Sequence, residues 1–251
     1  MNNVIKNIEI GLLFVFCIIT LGCRKSYPTP EDMKNYTIYI QNGDLENVKN
    51  YYKKFGKGFL NTYGSGLYSI NPLEYALYFK KYDIADFFIE NGADVNGLSP
   101  TTGKPIIFTG IYNNDIEFVK YLIDKKAKLV GFSYPLITSA VFENNLKMTE
   151  LILENTNFID EQDENGYTAL YIASGNGNME IVKFLIEHGA NINLVDNSNS
   201  TPLSIAVMNE HIQVAEYLIE HGADTSIKDN EGLDALWFAN ELGLTVKGLN
   251  S

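Results

Sequence analysis

The sequence predicts an all-α fold in which short helix–turn–helix units stack along the chain as a solenoid. Three observations lead to this prediction: segments recur every 33 residues, each contains two short helical patterns, and glycine follows the second helix in several of them. Because one short helix pair cannot bury its apolar face alone, consecutive units must stack. We expect about six units and a C-terminal half unit that caps the array.

The period is clearest in residues 166–193 and 199–226. The second helical patterns of these two segments end in FLIEHGA and YLIEHGA, with Gly189 and Gly222 standing 33 positions apart. Further units are recognised at 71–94, 103–129 and 135–160, with a weaker one at about 33–56 and a half unit at 232–239.

One unit illustrates how the pattern predicts helices. Thr201 is a suitable N-cap and Pro202 suits the first helical position, so a short helix should run to about Met208. Gly222 should end the second helix in the left-handed conformation. The apolar face of that second helix is formed by Val214, Ala215, Leu218 and Ile219.

These residues resemble the ankyrin repeat. The opening Thr-Pro-Leu of that family stands at 201–203, and its closing Gly-Ala-Asp stands at 222–224. The resemblance is strong over 68–243 and weak over 33–67. It implies an ankyrin-repeat solenoid over residues 33–251, with a concave face that binds other proteins.

The sequence departs from the family pattern at three points. The third and fourth units have Lys126 and Thr156 where the closing glycine is expected, and the step from Gly110 to Ala140 is 30 residues. We therefore expect a kink or an altered loop in the middle of the array. The histidine that follows Thr-Pro-Leu and takes part in bonding between repeats is replaced by Glu74, Phe108, Thr138, Tyr171 and Ser204.

Residues 10–23 form an apolar run of 14 residues without charge. This length is short for a membrane span and suits the centre of a secretory signal. The run ends in Gly22-Cys23, which resembles the bacterial lipoprotein signal. The resemblance implies cleavage of residues 1–22, lipid on Cys23 and a tether over 23–32. A plain cleaved signal or an N-terminal anchor helix is the alternative.

The residues around the lipidated cysteine have two more implications. Arg24 disfavours retention in the inner membrane, so the resemblance implies the bacterial cell envelope, at the periplasmic face of the outer membrane or the cell surface. Cys17 leaves with the signal, so the folded part has no thiol for a disulfide, a nucleophile or a metal site.

The chain carries 19 Lys and Arg against 31 Asp and Glu, a net charge of −12. This balance argues against nucleic acid as a partner, because phosphates need a basic surface. It favours a protein partner with a basic or mixed face, and we expect the array to be monomeric.

The sequence contains no group of residues with the spacing of an enzyme site, so we expect no catalytic residue, cofactor or metal. His188 and His221 share one position in consecutive units, where a histidine can bond a helix carbonyl; a metal pair is the weaker alternative. His211 opens a helix and is interpreted as structural. The glycines of residues 175–177 fall between two helices and do not form a phosphate loop.

Aromatic side chains at first-helix ends and loop tips are the candidate binding residues. The ankyrin resemblance places these positions on the concave face, where aromatic anchors act as hot spots. The alternative is that some of these rings belong to the core. The aromatic candidates are Tyr68, Tyr78, Phe79, Tyr112, Phe132, Tyr134, Phe142 and Tyr167, and the non-aromatic Met208 at the end of a first helix is added to them.

The expected function is that of a membrane-tethered scaffold that binds an envelope protein through the concave face. The second hypothesis is an inhibitor or immunity protein that neutralises an envelope-active toxin or hydrolase, a role that suits an acidic, tethered and non-enzymatic protein. A third hypothesis, delivery into host cells, is disfavoured by the lipoprotein-like signal.

Overall fold

The computed structural model describes residues 28–56, 60 and 70–249. Thirteen α-helices follow one another in this part of the chain. The chain divides into two compact units, Met1–Pro100 and Thr101–Ser251, which we call the N-terminal unit and the C-terminal unit. The apolar run over residues 10–23, the lipidation candidate Cys23 and the binding candidate Tyr68 lie outside the described residues.

The described helices form six pairs and one final single helix, as the sequence predicts. In the N-terminal unit they are α1 (Pro30–Asn42), α2 (Leu45–Phe55), α3 (Pro72–Tyr78) and α4 (Tyr82–Glu90). In the C-terminal unit they are α5 (Ile106–Tyr112), α6 (Ile116–Asp124), α7 (Leu136–Phe142), α8 (Leu146–Thr156), α9 (Ala169–Gly175), α10 (Met179–Glu187), α11 (Pro202–Met208), α12 (Ile212–Glu220) and α13 (Ala235–Glu241).

Local capping chemistry fixes the helix ends. The Oγ1 atom of Thr201 accepts a hydrogen bond from the Ser204 N–H at 3.0 Å, and Pro202 is the first residue of α11. Gly222 ends α12 with φ of 95° in the left-handed region. The start of α11 and the turn after α12 are therefore confirmed as predicted.

The second helices bury the predicted apolar stripe. In α12, Val214, Ala215 and Leu218 are buried, whereas Ile219 is half-buried. Burial of this kind contributes about 1.5–3 kcal/mol for each large aliphatic side chain, and the stripe recurs from pair to pair. Stacking is therefore held mainly by aliphatic packing in the C-terminal unit.

The N-terminal unit contains an aromatic core instead. The rings of Tyr36 and Tyr51 stack with centroids 4.3 Å apart, and Tyr36 also faces Phe88 at 6.3 Å. Burial raises the pKa of both phenols above its usual range. The weak unit at 33–56 therefore folds as a helix pair, α1 and α2, with stacked rings replacing part of the aliphatic core.

The middle of the array keeps its turns without glycine. Lys126 adopts φ of 63°, the left-handed conformation that glycine adopts at Gly189 and Gly222. The next pair instead extends its second helix to Thr156, and Asn157 takes the left-handed position with φ of 58°. The altered loop predicted from the missing glycines is thus a lengthened helix followed by a left-handed asparagine.

Amide side chains link neighbouring repeats of the C-terminal unit where the family histidine is absent. Asn209 Nδ2 donates to the Gly175 carbonyl at 2.7 Å, and Asn145 Nδ2 donates to Asn114 Oδ1 at 2.9 Å. Gln162 Nε2 donates to the Val195 carbonyl at 2.8 Å, and Asn197 Nδ2 donates to the Glu164 carbonyl at 2.9 Å. Three of these bonds satisfy the backbone carbonyls of Gly175, Val195 and Glu164, which lie in loops or at a helix end.

Within the part of the chain that the structure describes, every helix is too short or too polar to cross a bilayer.

Candidate protein-interaction groove

An open groove of about 530 Å³ runs across four consecutive first helices of the C-terminal unit. The helices α5, α7, α9 and α11 form its floor, and the loop tips before α7 and α9 form one wall. Four of the predicted binding residues line it, namely Tyr112, Tyr134, Phe142 and Tyr167. The structure therefore brings together rings from three successive repeats.

The residue at the end of α9 helps to open the groove. Gly175 stands where α5, α7 and α11 end in Tyr112, Phe142 and Met208. A Cβ atom at Gly175 would meet Ile205 Cγ1 at 3.1 Å, so even a small side chain would press against the floor. The missing side chain leaves room in the groove, which is also lined by Phe142, a residue that is 69% exposed.

Lys104 is fixed among aromatic rings at one part of the groove. Its ammonium donates to the Tyr112 hydroxyl at 2.6 Å and lies 4.3 Å from the centroid of the Tyr134 ring. The rings of Tyr112 and Phe108 are 5.3 Å and 5.4 Å away. Cation–π attraction and the hydrogen bond together hold the charge in place. On its other side, Tyr134 donates its hydroxyl proton to the Glu164 carboxylate.

Two tyrosines form a stacked pair in the next repeat, in which Tyr171 is buried. The rings of Tyr167 and Tyr171 are stacked, with centroids 4.7 Å apart and planes within 5°. Burial raises the pKa of Tyr171, and the negative charge of the Asp196 carboxylate, followed by the hydrogen bond to it, raises the pKa further. Asp163 fixes the loop beneath Tyr167, because its Oδ1 atom accepts the N–H groups of Asn165 and Tyr167 at 2.9 Å each.

Two carboxylates face this groove, those of Asp163 and Glu143. The Oδ1 atom of Asp163 is committed to the loop, as described. The side chain of Glu143 makes no hydrogen bond or ion pair with the described residues. Lys104 is the one basic residue of the lining that the structure describes, so the groove carries an excess of negative charge.

The remaining predicted binding residues lie elsewhere. Phe132 is half-buried, packs edge-on against Phe108 at 5.3 Å and does not line the groove. Met208 is exposed at the end of α11 but also lies outside the lining. Tyr78 and Phe79 belong to the N-terminal unit, where their rings meet edge-on at 5.2 Å and Tyr78 is 57% exposed.

The histidines have structural partners. The Nδ1 atoms of His188 and His221 lie 2.7 Å and 2.8 Å from the carbonyls of Phe184 and Tyr217, so each must carry the proton there. Each ring also packs on the aromatic side chain of the same partner. In the described residues no group of three or more His, Cys, Asp or Glu is placed to hold a metal ion.

Sequence reasoning missed Lys104, Tyr171 and Asp163 as groove residues. Asp163 had a signal, because Asp163, Asp196 and Asp229 recur every 33 residues and each accepts the N–H groups two and four residues further on. Lys104 had none, since its contact with Tyr134 depends on how one repeat stacks on the next.

Comparison with known families agrees with this geometry. A model of ankyrin repeats (3 copies) matches residues 136–229, and a model of ankyrin repeats (many copies) matches residues 73–123. These segments are ankyrin repeats, and the fold is an all-helical ankyrin-repeat solenoid. Ankyrin repeats indicate a protein–protein interaction scaffold.

Individual relatives share the same repeats. The ankyrin repeat protein FPV034 of fowlpox virus (strain NVSL) is 29% identical over 112 residues, which are 45% of this chain and 26% of that protein. The match thus spans about a quarter of the relative's length. The crystal structure of the ankyrin repeat domain of Bcl-3, a member of the IkappaB protein family, superposes with a TM-score of 0.69 at 22% identity. It covers 84% of this chain and 93% of that one, and the likeness shows the fold.

Proposed function

We propose that the protein is a tethered interaction scaffold that holds one partner protein in the groove of the C-terminal unit. The observation that supports this proposal is the exposed ring of Phe142, which lines, together with Tyr134 and Tyr167, a groove that runs across four repeats. Exposed rings in a groove are typical hot-spot anchors, and each contributes about 2 kcal/mol or more when a partner buries it.

The groove also suits a protein ligand by its shape. It is open to solvent and continuous over several first helices, whereas a small-molecule site encloses most of its ligand. Extended concave surfaces of solenoids bind extended segments or surface loops of other proteins. The partner proposed here is an envelope protein with a basic or mixed surface.

The test of the groove is a comparison of two exposed phenylalanines. Phe142 lines the groove, whereas Phe158, 54% exposed in the same unit, does not. Three full-length baits, the wild type and the Phe142→Ala and Phe158→Ala variants, are used to capture proteins from the organism's own envelope extract. We expect one protein to be retained by the wild type and Phe158→Ala and lost with Phe142→Ala. Equal capture by all three baits contradicts binding in the groove.

The captured partner then separates the two functional hypotheses. A scaffold leaves the activity of its partner intact, while an inhibitor or immunity protein abolishes it at a one-to-one ratio. The purified partner is therefore assayed with and without the full chain.

The tether is the second part of the proposal. The apolar run that ends in Gly22-Cys23 supports lipid attachment at Cys23 and a place in the bacterial cell envelope. Cys17 offers a matched control, because it lies within the same run and is not followed by a charged segment. Cys23→Ala should abolish incorporation of a labelled fatty acid into the protein, while Cys17→Ala should leave incorporation unchanged. Equal incorporation by both variants contradicts lipidation at Cys23.

A further inference from the structure

We propose that the groove is specific for an extended protein segment that presents an arginine, with the guanidinium beside Glu143 and against the aromatic lining. This inference rests on the proposed function, since it assumes that the groove binds a protein, and it names the chemistry that the groove selects. The chemistry follows from the charges of the lining, from its aromatic rings and from the carboxylate that has no partner among the described residues.

The charges of the lining favour a cation. Glu143 and Asp163 contribute two negative charges, and Lys104 contributes one positive charge. Lys104 already donates to the Tyr112 hydroxyl and lies over the Tyr134 ring, so its charge is held in that part of the groove. The carboxylate of Glu143 makes no ion pair or hydrogen bond with the described residues, so a ligand can pair with it without breaking a bond within the groove.

The rings decide between the two basic side chains. Phe142 is largely exposed beside Glu143, and the stacked pair of Tyr167 and Tyr171 forms part of the lining. A guanidinium is planar, stacks on aromatic faces and gives up water more easily than an ammonium, and it can donate two hydrogen bonds to one carboxylate. An arginine therefore uses both features of the lining, whereas a lysine uses mainly the charge.

The net charge of the whole chain also favours a positively charged partner. Its net charge of −12 attracts a basic segment at long range and accelerates encounter at low ionic strength. An acidic segment would meet repulsion from the chain and from both groove carboxylates, and a purely apolar segment would leave Glu143 buried without a partner.

The experiment is a selection with a defined probe. A random dodecapeptide library is displayed and selected on the full chain, and the strongest binder is synthesised with arginine and with citrulline, its neutral isostere. We expect the selected peptides to share an arginine next to an apolar residue. We expect the citrulline peptide to bind about tenfold more weakly than the arginine peptide.

Two glutamine variants locate the contact. Glu143→Gln should weaken the arginine peptide about tenfold and leave the citrulline peptide unchanged, because only the charged pair is lost. Glu154→Gln is the matched control, since Glu154 is an exposed acid on α8 outside the groove. It should change neither affinity.

Several outcomes overturn the inference. The inference is wrong if no peptide is enriched or if the selected peptides lack arginine. It is also wrong if the citrulline peptide binds within twofold of the affinity of the arginine peptide, or if Glu143→Gln and Glu154→Gln have equal effects on affinity. Phe142→Ala distinguishes this failure from failure of the proposed function. If the peptides depend on Phe142 but not on Glu143, the groove binds proteins and only the arginine is wrong. If they bind equally to Phe142→Ala, the groove itself is not the binding site.

Discussion

The ring of His211 lies so close to Gly177 that a Cβ atom on this glycine would meet the His211 Nδ1 atom at 2.5 Å. Gly177 also has φ of 70°, where residues with a Cβ atom are strained. We expect Gly177→Ala to lower the free energy of unfolding by about 2–3 kcal/mol, since backbone strain and a steric clash add. Urea unfolding measures this loss.

The matched control is Gly189→Ala in the same repeat. Gly189 has φ of 88° but nothing lies within 4 Å of its added Cβ atom, so only the strain of about 1–2 kcal/mol applies. His211→Ala combined with Gly177→Ala should recover the steric part of the loss. Equal losses for the two glycine variants would mean that the His211 ring moves aside freely.

Lys126 adopts a strained left-handed backbone conformation at a turn where the equivalent positions carry glycine. A φ of 63° destabilises the folded state by about 1–2 kcal/mol for a residue with a Cβ atom. Glycine adopts this φ without strain, but it loses more conformational entropy on folding, which costs about 0.5–1 kcal/mol. We expect Lys126→Gly to raise the free energy of unfolding by up to about 1 kcal/mol. Lys125, with φ of −82°, is the control, and Lys125→Gly should be destabilising. If both glycine variants change the free energy of unfolding in the same direction, the left-handed backbone at Lys126 is not the cause.

The helix pattern could be predicted from the sequence because helix ends depend on local chemistry. The sequence places helix ends at Tyr112, Phe142 and Met208, and the structure confirms all three. Caps, prolines and left-handed glycines act over a few residues and are readable in one sequence. The 33-residue period then predicted that the helix pairs stack on one another.

Membership of the groove depends on contacts between repeats and was less predictable. Phe132 and Tyr134 are two residues apart at the same loop tip, yet Phe132 packs on Phe108 and Tyr134 lines the groove. Which of them faces the groove depends on the rotation of the loop against the next repeat. The contact of Lys104 with Tyr134 likewise spans 30 positions and leaves no local pattern.

Ser174 carries a buried hydroxyl at a position that is aliphatic in the neighbouring helix pairs. Its Oγ atom has no hydrogen-bond partner among the described residues. We expect Ser174→Ala to raise the free energy of unfolding by about 1 kcal/mol, because an unsatisfied polar group leaves the core. The equivalent positions of the other repeats carry Leu77, Ile111, Val141 and Val207, all fully buried.

Ser204 provides the control for this prediction. Its Oγ atom is bonded to Thr201 Oγ1 at 3.0 Å, so Ser204→Ala should be destabilising by about 0.5–1.5 kcal/mol. Thermal or urea unfolding of both variants gives the comparison. A destabilised Ser174→Ala variant would show that the hydroxyl is satisfied in solution.

Tyr171 should make the fold sensitive to alkaline pH. Burial raises its pKa, followed by the Asp196 carboxylate, so the folded pKa lies above the unfolded value of about 10. The stabilisation from the neutral phenol is complete below that value and is lost as the pH rises toward the folded pKa, at up to about 1.4 kcal/mol per pH unit. Urea unfolding between pH 9 and about pH 11.5 should show a shallower decline for Tyr171→Phe than for the wild type. Tyr78→Phe, at an exposed ring, should keep the wild-type slope, and an unchanged slope for Tyr171→Phe would mean that another group governs alkaline unfolding.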